Sequence, residues 1–175
     1  MPSADLGAPT VRPADVERWF TDLGLEPIGR AEREGIASWD LELDGRRRFD
    51  LRITVILDPG MALIAWAQYA PPINDMFRKS YHRLLRWNDE FPLAKFSLSE
   101  DEAIVLAVEM PIGGVDGTAL GTALARIVGM ADRLLDESVD WLWLGGRRPD
   151  QSDRTPRNAA FLTRHATALP ELLDG

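Results

Sequence analysis

The chain has 175 residues, no cysteine, and 28 acidic against 20 basic side chains, for a formal net charge of −8 at pH 7. One domain of this length buries about 70% of the surface its unfolded chain exposes, so the core needs no disulfide or metal. Missing cysteine excludes thiolate nucleophiles, Cys-ligated zinc and a disulfide framework. The acidic balance repels the phosphate backbones that a nucleic-acid binder must neutralise.

Residues 1–13 are small, polar and proline-containing, which reads as a flexible arm. They show no basic segment leading into an apolar run, so no signal peptide is expected. The longest apolar runs, 61–67 and 103–108, fall far short of the ~20 residues a membrane span needs. The expectation is a cytoplasmic protein with no membrane and no nucleic-acid partner.

A first helix is expected from Pro13–Asp15, where a proline and an acid suit the first turn. Val16, Trp19, Phe20 and Leu23 share one face, and Gly24 is the C-cap candidate. Residues 26–35, rich in charge and glycine, fit neither period. Two strands follow with strict alternation: Trp39, Leu41 and Leu43 inward, then Phe49, Leu51, Ile53, Val55 and Leu57 inward. Because opposed residues of an antiparallel pair share a face, a three-residue loop Asp44-Gly45-Arg46 pairs Leu41 with Phe49. Arg46-Arg47-Arg48 then reads as a solvated hairpin tip, and Asp40 and Glu42 as cross-strand partners of Arg48 and Arg52.

The next hairpin, turning at Asp58-Pro59-Gly60, is expected to pair Val55 with Leu63 and Thr54 with Ile64. This leaves Ile56, Ile64 and Trp66 on the outer face, where apolar side chains call for a partner. Pro71-Pro72 ends the third strand. A second helix follows, capped by Asn74 or Asp75, with Phe77, Tyr81, Leu84, Leu85 and Asn88 as its stripe. Met76 and Trp87 project to one side of that stripe, and His82 falls on the polar face. A hairpin comes next, with Phe96 and Leu98 facing Ile104, Leu106, Val108 and Met110 across an acidic turn at 100–102. A third, long helix opens near Asp116–Thr118 and runs from Leu120 to Leu135, extending toward Leu142, with Gly121 and Gly129 inside it. Residues 145–175 read as a linker followed by a weakly apolar tail segment that either packs back or binds a partner.

No catalytic constellation emerges. Two distant histidines without cysteine do not suit a metal site, and Gly113-Gly114-Val115-Asp116-Gly117 lacks the spacing of a phosphate loop. Ser97 and Ser99 have no histidine in register to activate them. The reading is therefore non-enzymatic, without cofactor.

The order of elements, the helix ending in Leu84-Leu85-x-x-Asn88, the Lys95-Phe96 strand, the acidic turn and Glu109-Met110-Pro111 resemble the YbjN domain family. That family is similar in fold to class I type III secretion chaperones. The resemblance covers 16–137, within a domain set at 14–144. It implies an α+β fold in the order α-βββ-α-ββ-α, with an antiparallel sheet of about five strands and helices on one face. It also implies a homodimer that binds a protein or peptide client, with a small-molecule-sensing or signal-transduction domain as the alternative. Ile56, Ile64, Trp66, Met76 and Trp87 are the candidate partner or dimer surface.

Overall fold

The computed structural model describes residues 11–73, 78–143, 149 and 154–173. Helix α1 (Pro13–Leu23) starts with proline in its first turn and ends at Gly24, whose φ of 69° is the left-handed conformation a C-cap requires. It buries Val16, Phe20 and Leu23, and Phe20 meets Trp39 edge-on at 5.9 Å.

Six strands form one antiparallel sheet: β1 (Gly29–Arg33), β2 (Ile36–Leu43), β3 (Leu51–Asp58), β4 (Ala62–Ala70), β5 (Lys95–Leu98) and β6 (Ile104–Pro111). Their order across the sheet is β1-β2-β3-β4-β6-β5. β1 is the piece that fits neither sequence period. It is an edge strand in which four of five residues are exposed, so burial imposes no alternation on it.

Face assignment follows the expected parity, but two registers differ. β2 and β3 pair Leu43 with Leu51 and Leu41 with Ile53, so the connection spans 44–50 rather than three residues. That loop is long because it makes contacts of its own: Asp132 Oδ1 accepts from the backbone N–H of Arg47 at 2.5 Å and of Arg48 at 2.8 Å. In the next hairpin Asp58 pairs with Ala62, which shifts Thr54 from Ile64 to Trp66 and sets Ile56 directly opposite Ile64. A shift of two residues keeps every side chain on its face, so the hydrophobic pattern is blind to it.

Helix α2 (Arg78–Glu90) leads from β4 to β5. The cap candidates Asn74 and Asp75, together with Met76 and Phe77, lie outside the described residues. The expected stripe is rotated. Ser80, Leu84, Trp87 and Phe91 are buried, whereas Leu85 is 67% exposed. Trp87 sets the rotation, because its ring packs 5.5 Å from Phe96 and 5.7 Å from Trp141 and carries more apolar area than a leucine.

The long third helix is two helices, α3 (Gly117–Arg133) and α4 (Leu135–Leu142), separated by Leu134 with ψ near 0°. Asp116 caps α3 by accepting from the Ala119 N–H at 2.8 Å. The chain then returns. α5 (Ala159–His165) and α6 (Pro170–Leu173) lie on α3, burying Phe161, Leu162, Leu169, Leu172 and Leu173. The two glycines of α3 make this approach close. A Cβ on Gly121 would stand 2.5 Å from His165 Nε2, and one on Gly129 would stand 3.0 Å from Leu172 Cβ.

Candidate protein-interaction surface

Along β2–β4 and β6, alternate residues such as Trp39, Ile53, Val55, Leu63, Ala65 and Leu106 are fully buried under the helices. The intervening residues form the other face. At its centre Ile56 opposes Ile64, and Trp66 stands between Thr54 of β3 and Ala107 of β6. Ile56, Ile64 and Trp66 are half-buried, while Val105 and Ala107 beside them are buried. Polar pairs rim this patch. Thr54 Oγ1 donates to Asp40 Oδ1 at 2.7 Å, Arg52 lies 3.5 Å from Asp40, and Lys95 pairs with Glu109 at 2.6 Å. An apolar centre inside a charged rim is the general anatomy of a protein-binding patch.

Of the five residues proposed from the sequence, the fold brings together Ile56, Ile64 and Trp66. Met76 lies outside the described residues. Trp87 is not a surface residue, since it is 5% exposed within the aromatic cluster described above. The sideways projection read from helical spacing is the side that faces the core.

Asn88 has a defined task. Its Oδ1 accepts from the Phe96 N–H at 2.6 Å, and its Nδ2 donates to the Phe96 carbonyl at 3.1 Å. Both backbone groups of Phe96 point away from β6, so one side chain closes the outer edge of β5, a way of blunting an edge strand. β5 pairs only with residues 104–107 of β6, leaving 108–111 without a strand on that side. A groove of about 640 Å³ opens there, lined by Val108, Met110, Val115 and Ala123. Leu93, 77% exposed, stands at this groove, and Arg126, which donates to the Pro92 carbonyl at 3.3 Å, also lines it.

Two further clusters carry no local sequence signal. Asp44, fully buried, accepts from Arg157 Nη2 at 2.7 Å and Nε at 2.9 Å, and from the backbone N–H of Arg157 and Asp50 at 3.0 Å each. Burial alone would raise its pKa, but the hydrogen bonds from Arg157 and Asp50 outweigh it and hold the carboxyl well below the usual range. Asn158 completes the latch, accepting from the Asp44 N–H at 2.7 Å and donating to its carbonyl at 2.9 Å. Partners more than 110 positions apart leave no spacing to read.

The second cluster overturns the solvated reading for Arg48, whereas Arg46 and Arg47 are exposed as expected. Arg48 is 6% exposed, with its guanidinium 4.5 Å from the Tyr69 ring and 5.2 Å from that of Trp143. Nor does it pair with Asp40 or Glu42. Arg47 bonds Asp136 at 2.5 Å, and Glu42 bonds Arg157. Among the described residues, no group of three or more His, Asp or Glu is placed to hold a metal ion, and no helix is long and apolar enough to cross a membrane.

The YbjN family model, described as "Putative bacterial sensory transduction regulator", matches residues 12–140. The chain belongs to the YbjN family. The matched span runs from the start of α1 into α4, so the YbjN unit contains the whole sheet and Asn88, whereas Arg157 and Asn158 of the latch lie beyond it. No curated protein matches the chain. Among solved structures it is similar to a chain in the crystal structure of the Yersinia pestis type III secretion chaperone SycH in complex with a stable fragment of YscM2. The TM-score is 0.49 at 23% identity, covering 69% of this chain and 97% of that one. The family description fits a regulatory role.

Proposed function

We propose that this YbjN protein is a non-enzymatic, cytoplasmic adaptor of chaperone type, which dimerises through the open face of its sheet and holds a segment of a protein or peptide partner. The observation that carries the reading is the Ile56–Ile64–Trp66 centre, apolar and half-exposed inside a rim of ion pairs. An isologous dimer would bury this patch against its own copy. The groove beside 108–111 supports the client half of the reading, because an extended segment there could add to the unpaired side of β6 and set side chains against Val108 and Met110.

Light scattering at micromolar concentration tests the dimer. The wild type should give twice the chain mass, and Trp66→Asp should give a monomer with unchanged circular dichroism. A wild type that is monomeric throughout would remove the dimer from the proposal. The alternative, a regulatory domain sensing a small molecule, is favoured by the family description and by a cavity beside Arg48. It predicts a ligand-dependent rise in Tm, since binding only the native state stabilises it.

A further inference from the structure

Among the described residues, Arg48 carries the most deeply buried guanidinium, 6% exposed. Its Nη2 donates to the Tyr69 carbonyl at 2.6 Å, and the rings of Tyr69 and Trp143 lie over its plane. Nη1 has no hydrogen-bond partner among the described residues. The nearby carboxylates are engaged elsewhere. Asp132 accepts from the backbone of Arg47 and Arg48, and Asp50 accepts from Arg154 at 2.6 Å and Arg157 at 2.7 Å. A buried guanidinium with an unmet donor and no carboxylate hydrogen-bonded to it is costly in a folded protein unless something completes it.

Arg48 lines a cavity of about 290 Å³ together with Phe49, Gln68, Tyr69, Trp143 and Asp50, whose carboxyl is held by Arg154 and Arg157. Arg154, stacked at 4.7 Å on Phe49, pairs with Asp50 at 2.6 Å and so neutralises that carboxylate. Aromatic walls, a primary amide and one buried guanidinium with an unmet donor form a chemistry suited to a planar anion with a small organic body. We propose that this cavity is a binding site for one carboxylate group, carried by a small organic acid or by the C-terminus of a peptide. Nη1 is shielded from solvent, so the ligand engages it after a small rotation of the guanidinium toward the cavity.

The test is a titration of the full-length protein followed by NMR, reading the Arg48 side-chain Nε–H and the Trp143 indole N–H. The probes are acetate and benzoate against acetamide and benzamide at matched ionic strength, with a short peptide carrying a free or an amidated C-terminus. Saturable shifts with the carboxylates, and affinity at least about tenfold weaker for the amides, are expected from loss of a charged hydrogen bond. Preference for the free-acid peptide over benzoate would assign the peptide source, and the reverse would assign the small acid. Arg48→Met, which keeps the bulk between the rings, should abolish the shifts while its melting curve shows a folded protein. Equal responses to acids and amides, or none at either reporter, would overturn the site. Binding that appears only in a Asp150→Asn/Asp153→Asn variant would overturn it too, by showing that the chain supplies its own carboxylate.

Discussion

The two faces of the sheet are built by the same strands from neighbouring residues, and they serve different ends. On the covered face Leu63, Ala65 and Leu106 are wholly buried under α3 and its neighbours. On the open face Ile64 and Trp66, one position away from them, remain half-exposed and ringed by charge. Antiparallel sheets commonly keep one face wet, and alternation then runs apolar to polar. Here the open face alternates into isoleucine and tryptophan, so it departs from the composition that solvent alone would favour. Stability resides in the first face, and the proposed partner surface in the second.

The largest effect should come from unfastening what covers the first face. Asp44→Ala removes the carboxylate that gathers Arg157, Arg154 and the Asp50 N–H, leaving those donors unmatched. A loss of about 3–5 kcal/mol is expected in urea unfolding, as for other broken buried ion pairs. The same group gives a pH test. Its folded pKa lies below the unfolded value of ~3.9, so its contribution is full above that value and lost as pH falls toward the folded one. Stability of the wild type should fall below pH ~4 with a share of up to about 1.4 kcal/mol per pH unit from this carboxyl, and Asp44→Asn should lack that share. Identical slopes in the two proteins would contradict the assignment.

Helix α2 gives the next contrast. Trp87→Ala should cost about 3–5 kcal/mol and disturb near-ultraviolet circular dichroism, whereas Leu85→Ala should stay within about 0.5 kcal/mol. Comparable losses would mean that the helix faces the core as its leucine pair suggests.

A more direct comparison of the faces uses adjacent residues. Leu63→Ala is expected to cost about 2–5 kcal/mol at any protein concentration. Ile64→Ala should cost about 1 kcal/mol or less in a dilute, dissociated sample. Its effect should grow with protein concentration, since a dimer interface stabilises by mass action. A concentration-independent Ile64→Ala would remove the distinction on which the dimer rests.

A modest effect is expected at Gly121, where α3 meets the returning tail. An added methyl meets His165 and Leu23 at 2.5 and 2.8 Å, an overpacking penalty partly offset by the ~1 kcal/mol helix advantage of alanine. A net loss of about 1 kcal/mol in thermal or urea unfolding is expected. A gain would show that α5 sits loosely on α3.

Where the fold is legible in the sequence, a period enforced by burial makes it so. Strands β2, β3, β4 and β6 each bury one face, and a slip of one residue would turn that face to water, so their alternation is explicit. β1 buries almost nothing and therefore shows no period. The patch at Ile56, Ile64 and Trp66 follows from parity alone and survives a register error of two residues, because such an error changes partners without changing faces. Helix α2 was harder: leucine spacing and tryptophan spacing define arcs about 100° apart, and only Phe96 and Trp141 decide between them. The groove beside β6 and the Arg48 cavity are formed by elements distant in the chain, and no spacing announces them.

The sequence by itself determined the α+β class, the order of the main YbjN elements, the inward and outward sets of β2, β3, β4 and β6, and the capping role of Gly24. Each of these depends on a few neighbouring residues and on the geometry of one element. Tertiary structure alone decided that the tail folds back onto α3, that Asp44 holds it there, that Arg48 is enclosed by aromatic rings, and that Trp87 belongs to the core. Those outcomes depend on pairings between separate elements, up to more than 110 positions apart, where the chain's own periodicity carries no information and only packing selects the partner.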